Sequence, residues 1–234
     1  MVQLFFPLLS AIVFYLFLNG IPLSAGNTEP VADFTGDYTD GPDISLLEES
    51  KLSPEAFRIA YEGFKRLEKE KQLKNDSLIT IIDFSKPSYE ERLFIFDLKN
   101  TKLVYKSLVA HGKNSGEVYA GAFSNNPQSY QSSLGLYLTL GTYNGRHGYS
   151  LRLKGLDKGI NDKAMKRAIV IHGAEYASQS YISRHGRLGR SFGCPALPYD
   201  MSEIIIDLIK NGSCLYIYHP NISWAYPSDG ETKN

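Results

Sequence analysis

The chain has 234 residues, of which 43% are apolar, with 25 basic and 25 acidic side chains. These proportions are typical of about one globular domain and exclude a wholly disordered chain, a coiled coil and collagen. The formal net charge of zero argues against a nucleic-acid partner, because a surface that follows a phosphate backbone needs an excess of Lys and Arg. Two cysteines, Cys194 and Cys214, are too few for a disulfide framework.

The N-terminal segment 1–25 carries no charged side chain and is almost wholly apolar. It predicts either a signal peptide, with cleavage after the small residues Ser24 and Ala25, or an uncleaved membrane anchor. Both alternatives place the rest of the protein outside the cytoplasm, in the periplasm or cell envelope. Residues 26–52 follow as an acidic linker, since positions 29–50 contain seven acidic residues and no basic one.

An amphipathic helix is predicted over residues 53–74, where it would pack on the domain that follows. Ser53 is a suitable N-cap and Pro54 a suitable first helical residue. Apolar side chains then recur at spacings of three and four from Phe57 to Leu67, with charged residues between them.

Residues 75–222 are predicted to form a β-rich domain, because they hold short runs of β-branched and aromatic residues separated by Gly, Asn, Ser and Pro. A hairpin is expected at Leu98–Thr101. Seven runs are candidate strands: LITIIDF, RLFIFDL, KLVYKSLVAH, LGLYLTLG, YSLRLKG, AIVIHG and CLYIYHP.

A second helix is predicted from Asp200 to Lys210, with Asp200 and Glu203 as a capping pair. Residues 223–234 form a polar tail. The expected fold class is therefore mainly β with a few helices (α+β), built as a β-sandwich or a partly open barrel.

Positive charge is concentrated in residues 163–190, which contain six basic residues and one acidic residue. The basic residues at 163–167 are interpreted as the solvated face of a short helix. Arg187 and Arg190 each directly follow a glycine and lie shortly before Cys194. Their guanidinium groups are therefore candidates for binding a carboxylate.

Cys194 is the candidate nucleophile of the chain. It lies between Gly193 and Pro195, and nearby cationic side chains would favour its thiolate. His172 ends an apolar strand and is followed by Gly173, which suits an imidazole that takes the thiol proton and returns it to a leaving amine.

Three other interpretations of these residues remain open at this point. Cys194 could be a small buried apolar residue, which is a common role for a single free cysteine. It could form a disulfide with Cys214. A zinc site formed by His172, His185, Cys194 and Cys214 is the third alternative, although the spacing is unlike that of short-range zinc ligands.

The order strand-His172-Gly173 followed about twenty residues later by Ser191-x-Gly193-Cys194 resembles the catalytic stretch of the murein L,D-transpeptidases. The longer stretch HGAEYAS…RHGRLGRSFGCPALP is similar to a divergent branch of that family. The similarity extends over Ser77–Pro220. It implies a β-rich catalytic domain that lies outside the cytoplasmic membrane and acts on peptidoglycan stem peptides.

The resemblance also implies roles for individual residues. Cys194 would be the nucleophile, His172 the general base, and the Gly173 carbonyl the group that orients the imidazole. Backbone N–H groups of Gly193 and Cys194 would form the oxyanion hole.

The chain departs from the family pattern beside the nucleophile. Phe192 replaces the histidine of Ser-His-Gly-Cys, and Ala196 replaces the arginine that follows the cysteine. Arg187 or Arg190 is therefore expected to take over the role of that arginine. The candidate substrate-binding residues are Arg187, Arg190, Ser191 and Tyr176.

The implied reaction is a two-step acyl transfer with release of D-alanine and a thioester on Cys194. Water as acceptor would make the protein an L,D-carboxypeptidase, and loss of catalysis would leave a muropeptide-binding module. Neither a metal nor another cofactor is expected. We expect a monomer that meets the membrane only through residues 1–25, if these are retained.

Overall fold

A computed structural model describes residue 47 and residues 50–221. The predicted signal peptide or anchor at 1–25, most of the linker at 26–52 and the tail at 223–234 lie outside the described residues. Helix α1 (Pro54–Lys69) begins where the sequence predicts and ends five residues earlier than residue 74. Ser53 caps it by accepting a hydrogen bond from the Ala56 N–H.

Eight strands form one mixed sheet in the order β3-β2-β1-β8-β4-β5-β6-β7. The strands are β1 (Leu78–Asp83), β2 (Leu93–Asp97), β3 (Lys102–Ser107), β4 (Gly135–Gly145), β5 (Gly148–Gly155), β6 (Val170–Gly173), β7 (Ala196–Leu197) and β8 (Cys214–Tyr218). The pairs β1–β8 and β6–β7 are parallel, and the other pairs are antiparallel. The sheet is nearly barrel-shaped, so the predicted mainly β fold with a few helices is confirmed.

Seven of these strands correspond to the seven predicted runs, whereas β7 was missed. The hairpin predicted at Leu98–Thr101 joins β2 to β3, with Asp97 opposite Lys102. The Asp97 carboxylate accepts the backbone N–H groups of Lys99 and Asn100, which stabilises the turn.

Strands β1 and β8 lie in the interior of the sheet and are buried along their whole length. Helix α1 packs against both of them through an apolar face that includes Phe57, Phe64 and Leu67. Continuous apolar runs in these strands are what burial on both faces requires. Within the described residues, no helix has the length and apolar character needed to cross a bilayer.

Three short helical segments surround the last part of the sheet: a 3₁₀ helix (Glu175–Ala177), α2 (Gln179–His185) and α3 (Tyr199–Ile209). The predicted capping pair of α3 is wrong. Asp200 lies within the first helical turn and is therefore not the N-cap residue. Pro198 occupies the N-cap position, and its side chain makes no capping hydrogen bond. Helix α3 packs on β6, and thereby supports the strand that carries His172.

Candidate active site

Cys194 lies alongside β6, the strand that carries His172. In the parallel pairing of β6 with β7, His172 is opposite Ala196 and Gly173 is opposite Leu197. Cys194 immediately precedes this pairing. Its thiol is 3.7 Å from the carbonyl oxygen of Ala168, at the start of the same segment. The structure thus places the candidate nucleophile and base along one strand.

The imidazole of His172 is oriented by a hydrogen bond to a carbonyl oxygen of its own strand. Nδ1 is 2.9 Å from the Gly173 carbonyl oxygen, which is the contact expected for Gly173. Since a carbonyl can only accept, Nδ1 carries the proton and Nε2 is the basic nitrogen. The residue is only 2% exposed.

The electrostatic environment favours a neutral thiol beside a neutral imidazole. Burial raises the pKa of the Cys194 thiol, while a hydrogen bond from the Val170 N–H and the positive charge of Arg167 oppose that rise. Burial lowers the pKa of His172 against the opposing bond to Gly173, and His147 lowers this pKa further. A neutral thiol needs a base before it can attack as a thiolate, and a neutral imidazole is able to accept its proton.

Ser191 shapes the turn that presents the nucleophile. Its hydroxyl donates to the Cys194 carbonyl oxygen at 2.6 Å and accepts the Gly193 N–H at 3.0 Å. Both of these hydrogen bonds of the buried hydroxyl lie within the turn, and the predicted contact of Ser191 with substrate stays a prediction. The Gly193 N–H, one of the two predicted oxyanion-hole donors, already donates to the Ser191 hydroxyl. The other predicted donor, the Cys194 N–H, is not bonded to Ser191.

Gly193 is required by its backbone conformation and by crowding. Its φ is +121°, and a Cβ at this position would lie 2.8 Å from the Gln131 carbonyl oxygen. The Gly193 carbonyl oxygen accepts the hydroxyl of buried Ser132 at 3.2 Å. Ser132 in turn accepts the Gly112 N–H at 3.0 Å, so the turn is fixed to two neighbouring segments.

The guanidinium group of Arg167 lies beside the nucleophile turn. A Cβ on Gly193 would be 3.3 Å from its Nη2 atom. The interpretation of Arg167 as part of a solvated helix face is wrong. Its half-buried guanidinium donates to four acceptors in the segment 124–133, namely the Ser124 and Gln131 carbonyl oxygens and the Ser129 and Ser133 hydroxyls.

Arg187 and Arg190 do not lie free in the site. Both form ion pairs with Glu117, Arg187 at 2.9 Å and Arg190 in close contact. Arg190 also donates to the carbonyl oxygens of Lys113 and Gly116. A carboxylate ligand would have to compete with Glu117 for these two guanidinium groups.

Tyr176 and Tyr199 come from the segments that follow β6 and β7. The pKa of Tyr176 is raised first by burial and then by the negative charge that Cys194 would carry, which places its hydroxyl within electrostatic range of the nucleophile. The ring of Tyr199 lies over Gly173, where a Cβ would be 2.6 Å from it. Tyr176 therefore remains a candidate for substrate contact.

An exposed aromatic pair lies next to the nucleophile turn. The rings of Phe192 and Tyr130 are 4.9 Å apart, and Phe192 is 65% exposed. The ammonium of Lys113 is 4.4 Å from the centre of the Tyr130 ring and 4.7 Å from that of Phe192. Sequence analysis missed Lys113 and Tyr130, because only the fold brings them to residue 192.

His147 is another residue that sequence analysis did not connect to the site. It lies in the turn between β4 and β5, and its ring stacks on that of His172 with centroids 4.5 Å apart. The two rings are 25 residues apart in the chain, so no local signal predicts their contact.

The two thiols are not joined. Cys194 is half-buried and free, and Cys214 is free and buried in β8. The disulfide alternative is therefore not found. Among residues 50–221, no group of three or more His, Cys, Asp or Glu side chains is placed to hold a metal ion.

Residues 48–218 match the sequence model of the L,D-transpeptidase catalytic domain. This match covers most of the chain and includes the segments that carry His172 and Cys194. The chain belongs to the L,D-transpeptidase catalytic domain family. A search of curated protein sequences returned no match.

Solved structures that resemble the chain include an L,D-transpeptidase from Mycobacterium smegmatis, with 12% identity and a TM-score of 0.38 over 61% of this chain and 59% of that one. An Enterococcus faecium L,D-transpeptidase has 8% identity and a TM-score of 0.38 over 61% and 50%. The helical cell shape determining protein from Campylobacter jejuni has 13% identity and a TM-score of 0.40 over 61% and 48%. The alignments thus span less than two thirds of those chains, and the family assignment rests on the match over residues 48–218.

Proposed function

We propose that this protein is a cysteine-dependent acyltransferase that acts on peptidoglycan stem peptides. The observation that carries the proposal is the position of the free Cys194 thiol along β6, the strand on which His172 presents an unprotonated Nε2. Family membership supplies the reaction class, L,D-transpeptidation.

In the first step, Cys194 Sγ attacks the carbonyl carbon at the L-centre of the donor peptide. His172 Nε2 takes the thiol proton, and the Cys194 N–H stabilises the negative charge that develops on the carbonyl oxygen. The C–N bond to the terminal D-alanine breaks, and His172 returns the proton to the leaving amine. The products of this step are free D-alanine and a thioester on Cys194.

In the second step, the amine of another stem peptide attacks the thioester. His172 takes a proton from the amine, the C–S bond breaks, and the proton returns to Cys194. Water in place of the amine would give the shortened, uncrosslinked peptide, which is the product of an L,D-carboxypeptidase.

The surface next to the nucleophile suits an anionic peptide. The Lys113 ammonium lies over the Phe192 and Tyr130 rings, and in the described part of the chain it forms no ion pair with a carboxylate. It could therefore bind a carboxylate of the stem peptide while the rings contact its aliphatic portion. Since the substrate lies outside the cytoplasmic membrane, we also propose that residues 1–25 direct export to the periplasm or cell envelope.

The test uses the full chain and a disaccharide tetrapeptide, with free D-alanine as the readout. Cys194→Ala should abolish release, whereas the matched variant Cys214→Ala should retain it, because Cys214 is buried in β8. Crosslinked dimers would indicate a transpeptidase, and free tripeptides would indicate a carboxypeptidase. Release by Cys194→Ala at the rate of the parent would refute the proposed function.

A further inference from the structure

The ring of His147 stacks on that of His172, which indicates a role for His147 in the site although it is neither the nucleophile nor the base. His147 is exposed, His172 is buried, and their rings are inclined by only 25°. We propose that His147 is a positioning residue that holds the His172 ring with Nε2 available to the thiol and disfavours its protonated form. This inference rests on the proposed function, because it takes His172 as the base.

The fold delivers His147 to His172 through strand register. Gly145 pairs with Gly148, so β4 and β5 are joined by a two-residue turn that contains His147. Gly148 has φ of +73°, a conformation that glycine adopts without strain. Strand β5 then pairs with β6 so that Ser150 is opposite His172, which fixes the turn relative to the base.

The hydrogen bond to Gly173 holds the His172 ring along one edge only. A single bond permits the ring to tilt about that edge. Stacking by His147 covers one ring face and restricts this tilt, since parallel aromatic rings at this separation attract each other. His147 thus complements the hydrogen bond that His172 donates to the Gly173 carbonyl in orienting Nε2.

The second effect is electrostatic. The titratable side chain that contacts the His172 ring in the described residues is His147, from the β4–β5 turn. Cys194 lies in the segment before β7, the Tyr199 ring lies over neighbouring Gly173, and uncharged Ser150 and Ala196 lie opposite His172 on the flanking strands. None of these groups is a carboxylate. A proton on His147 would therefore repel a proton on His172, and the lowered pKa of His172 agrees with this, although burial is its larger cause.

The consequence concerns the resting state of the base. A neutral His172 can accept the thiol proton, whereas an imidazolium cannot. His147 is expected to keep this base available at mildly acidic pH, where an isolated histidine would be protonated.

The experiment is a pH titration of the full chain labelled with ¹³C in the histidine rings and followed by NMR. The chain has five histidines, and the His172 signal is identified by its loss in His172→Gln. The variants are His147→Ala, which removes both ring and charge, and His147→Phe, which retains a stacking ring without the charge. The matched control is His185→Phe, because the exposed His185 ring stacks on Tyr181 and has no such contact with His172.

We expect both His147 variants to raise the midpoint of His172 by about half a pH unit or more, in line with removal of a like charge. The control should leave it unchanged. His147→Phe should also retain more of the D-alanine release rate than His147→Ala, because its ring preserves the orientation. Unchanged histidine signals elsewhere report an intact fold. An unchanged His172 midpoint in both variants would overturn the inference, and this result is independent of whether the chain releases D-alanine.

Discussion

Acid should destabilise this fold through His111, a buried residue whose carbonyl oxygen accepts the backbone N–H of Ser191. His111 is completely buried, and its Nδ1 lies 2.8 Å from Nη2 of the buried Arg92. Because arginine only donates, Nδ1 must accept, and the proton lies on Nε2, which is 3.1 Å from the Gly116 carbonyl oxygen. The neutral ring has both hydrogen bonds satisfied, whereas a protonated ring would face a guanidinium group.

The magnitude follows from the pKa of His111. Burial, followed by the charge of Arg92, lowers this pKa from 6.5 to about 3, while the hydrogen bond from His111 to the Gly116 carbonyl opposes the shift. Below pH 6.5 the unfolded chain binds a proton here and the folded chain does not, so stability falls as the pH falls from 6.5 towards 3. At pH 4.5, two units below the unfolded value, the loss is on the order of 2–3 kcal/mol.

The assay compares free energies of unfolding in urea at pH 7 and pH 4.5. His111→Gln keeps an acceptor for Arg92 and a donor for Gly116 but cannot be protonated. The parent should lose on the order of 2–3 kcal/mol more than this variant between the two pH values. The exposed His185→Gln should behave as the parent does. Equal losses in the parent and His111→Gln would refute the argument.

Three further predictions concern the site. The acid limb of kcat/KM should have its midpoint below pH 6.5, because burial lowers the pKa of His172; a midpoint at or above 6.5 would contradict this. Ser191→Ala should lower the free energy of unfolding by about 1–3 kcal/mol in urea, since it leaves the Gly193 N–H without its acceptor; an unchanged value would show that the turn does not depend on the hydroxyl. Arg167→Met should slow alkylation of Cys194 by iodoacetamide at neutral pH, because it removes the positive charge that favours the thiolate; an equal rate would exclude that influence.

The elements that the sequence predicts correctly are those with strong local signals. Helix α1 has an N-cap, a proline and an apolar periodicity that agree with each other, and the predicted hairpin has turn residues between two apolar runs. Strand β7 was missed because two residues, Ala196 and Leu197, are too few to show a periodicity. It forms because β6 pairs with it on one side and Ala110 bonds to Ala196 on the other.

Residue types indicate the candidate site in the sequence, whereas the packing of its cations could not be predicted. Cys194, His172 and Gly173 come together through a strand that the sequence already indicates. A run of basic residues does not reveal which of its side chains folds inward. Arg167 finds its acceptors in 124–133, a segment more than thirty residues away in the chain, whereas Arg190 is engaged by Glu117.

The central claim is a thioester on Cys194, and mapping of the covalent intermediate tests it most directly. The full chain is mixed with disaccharide tetrapeptide, quenched at early times and digested with trypsin. Cleavage after Arg190 and Lys210 separates the peptide that contains Cys194 from the one that contains Cys214. The account predicts a disaccharide-tripeptide acyl group on residues 191–210, absent in Cys194→Ala. D-alanine release with the acyl group on another peptide, or with no acyl group at any time, would contradict it.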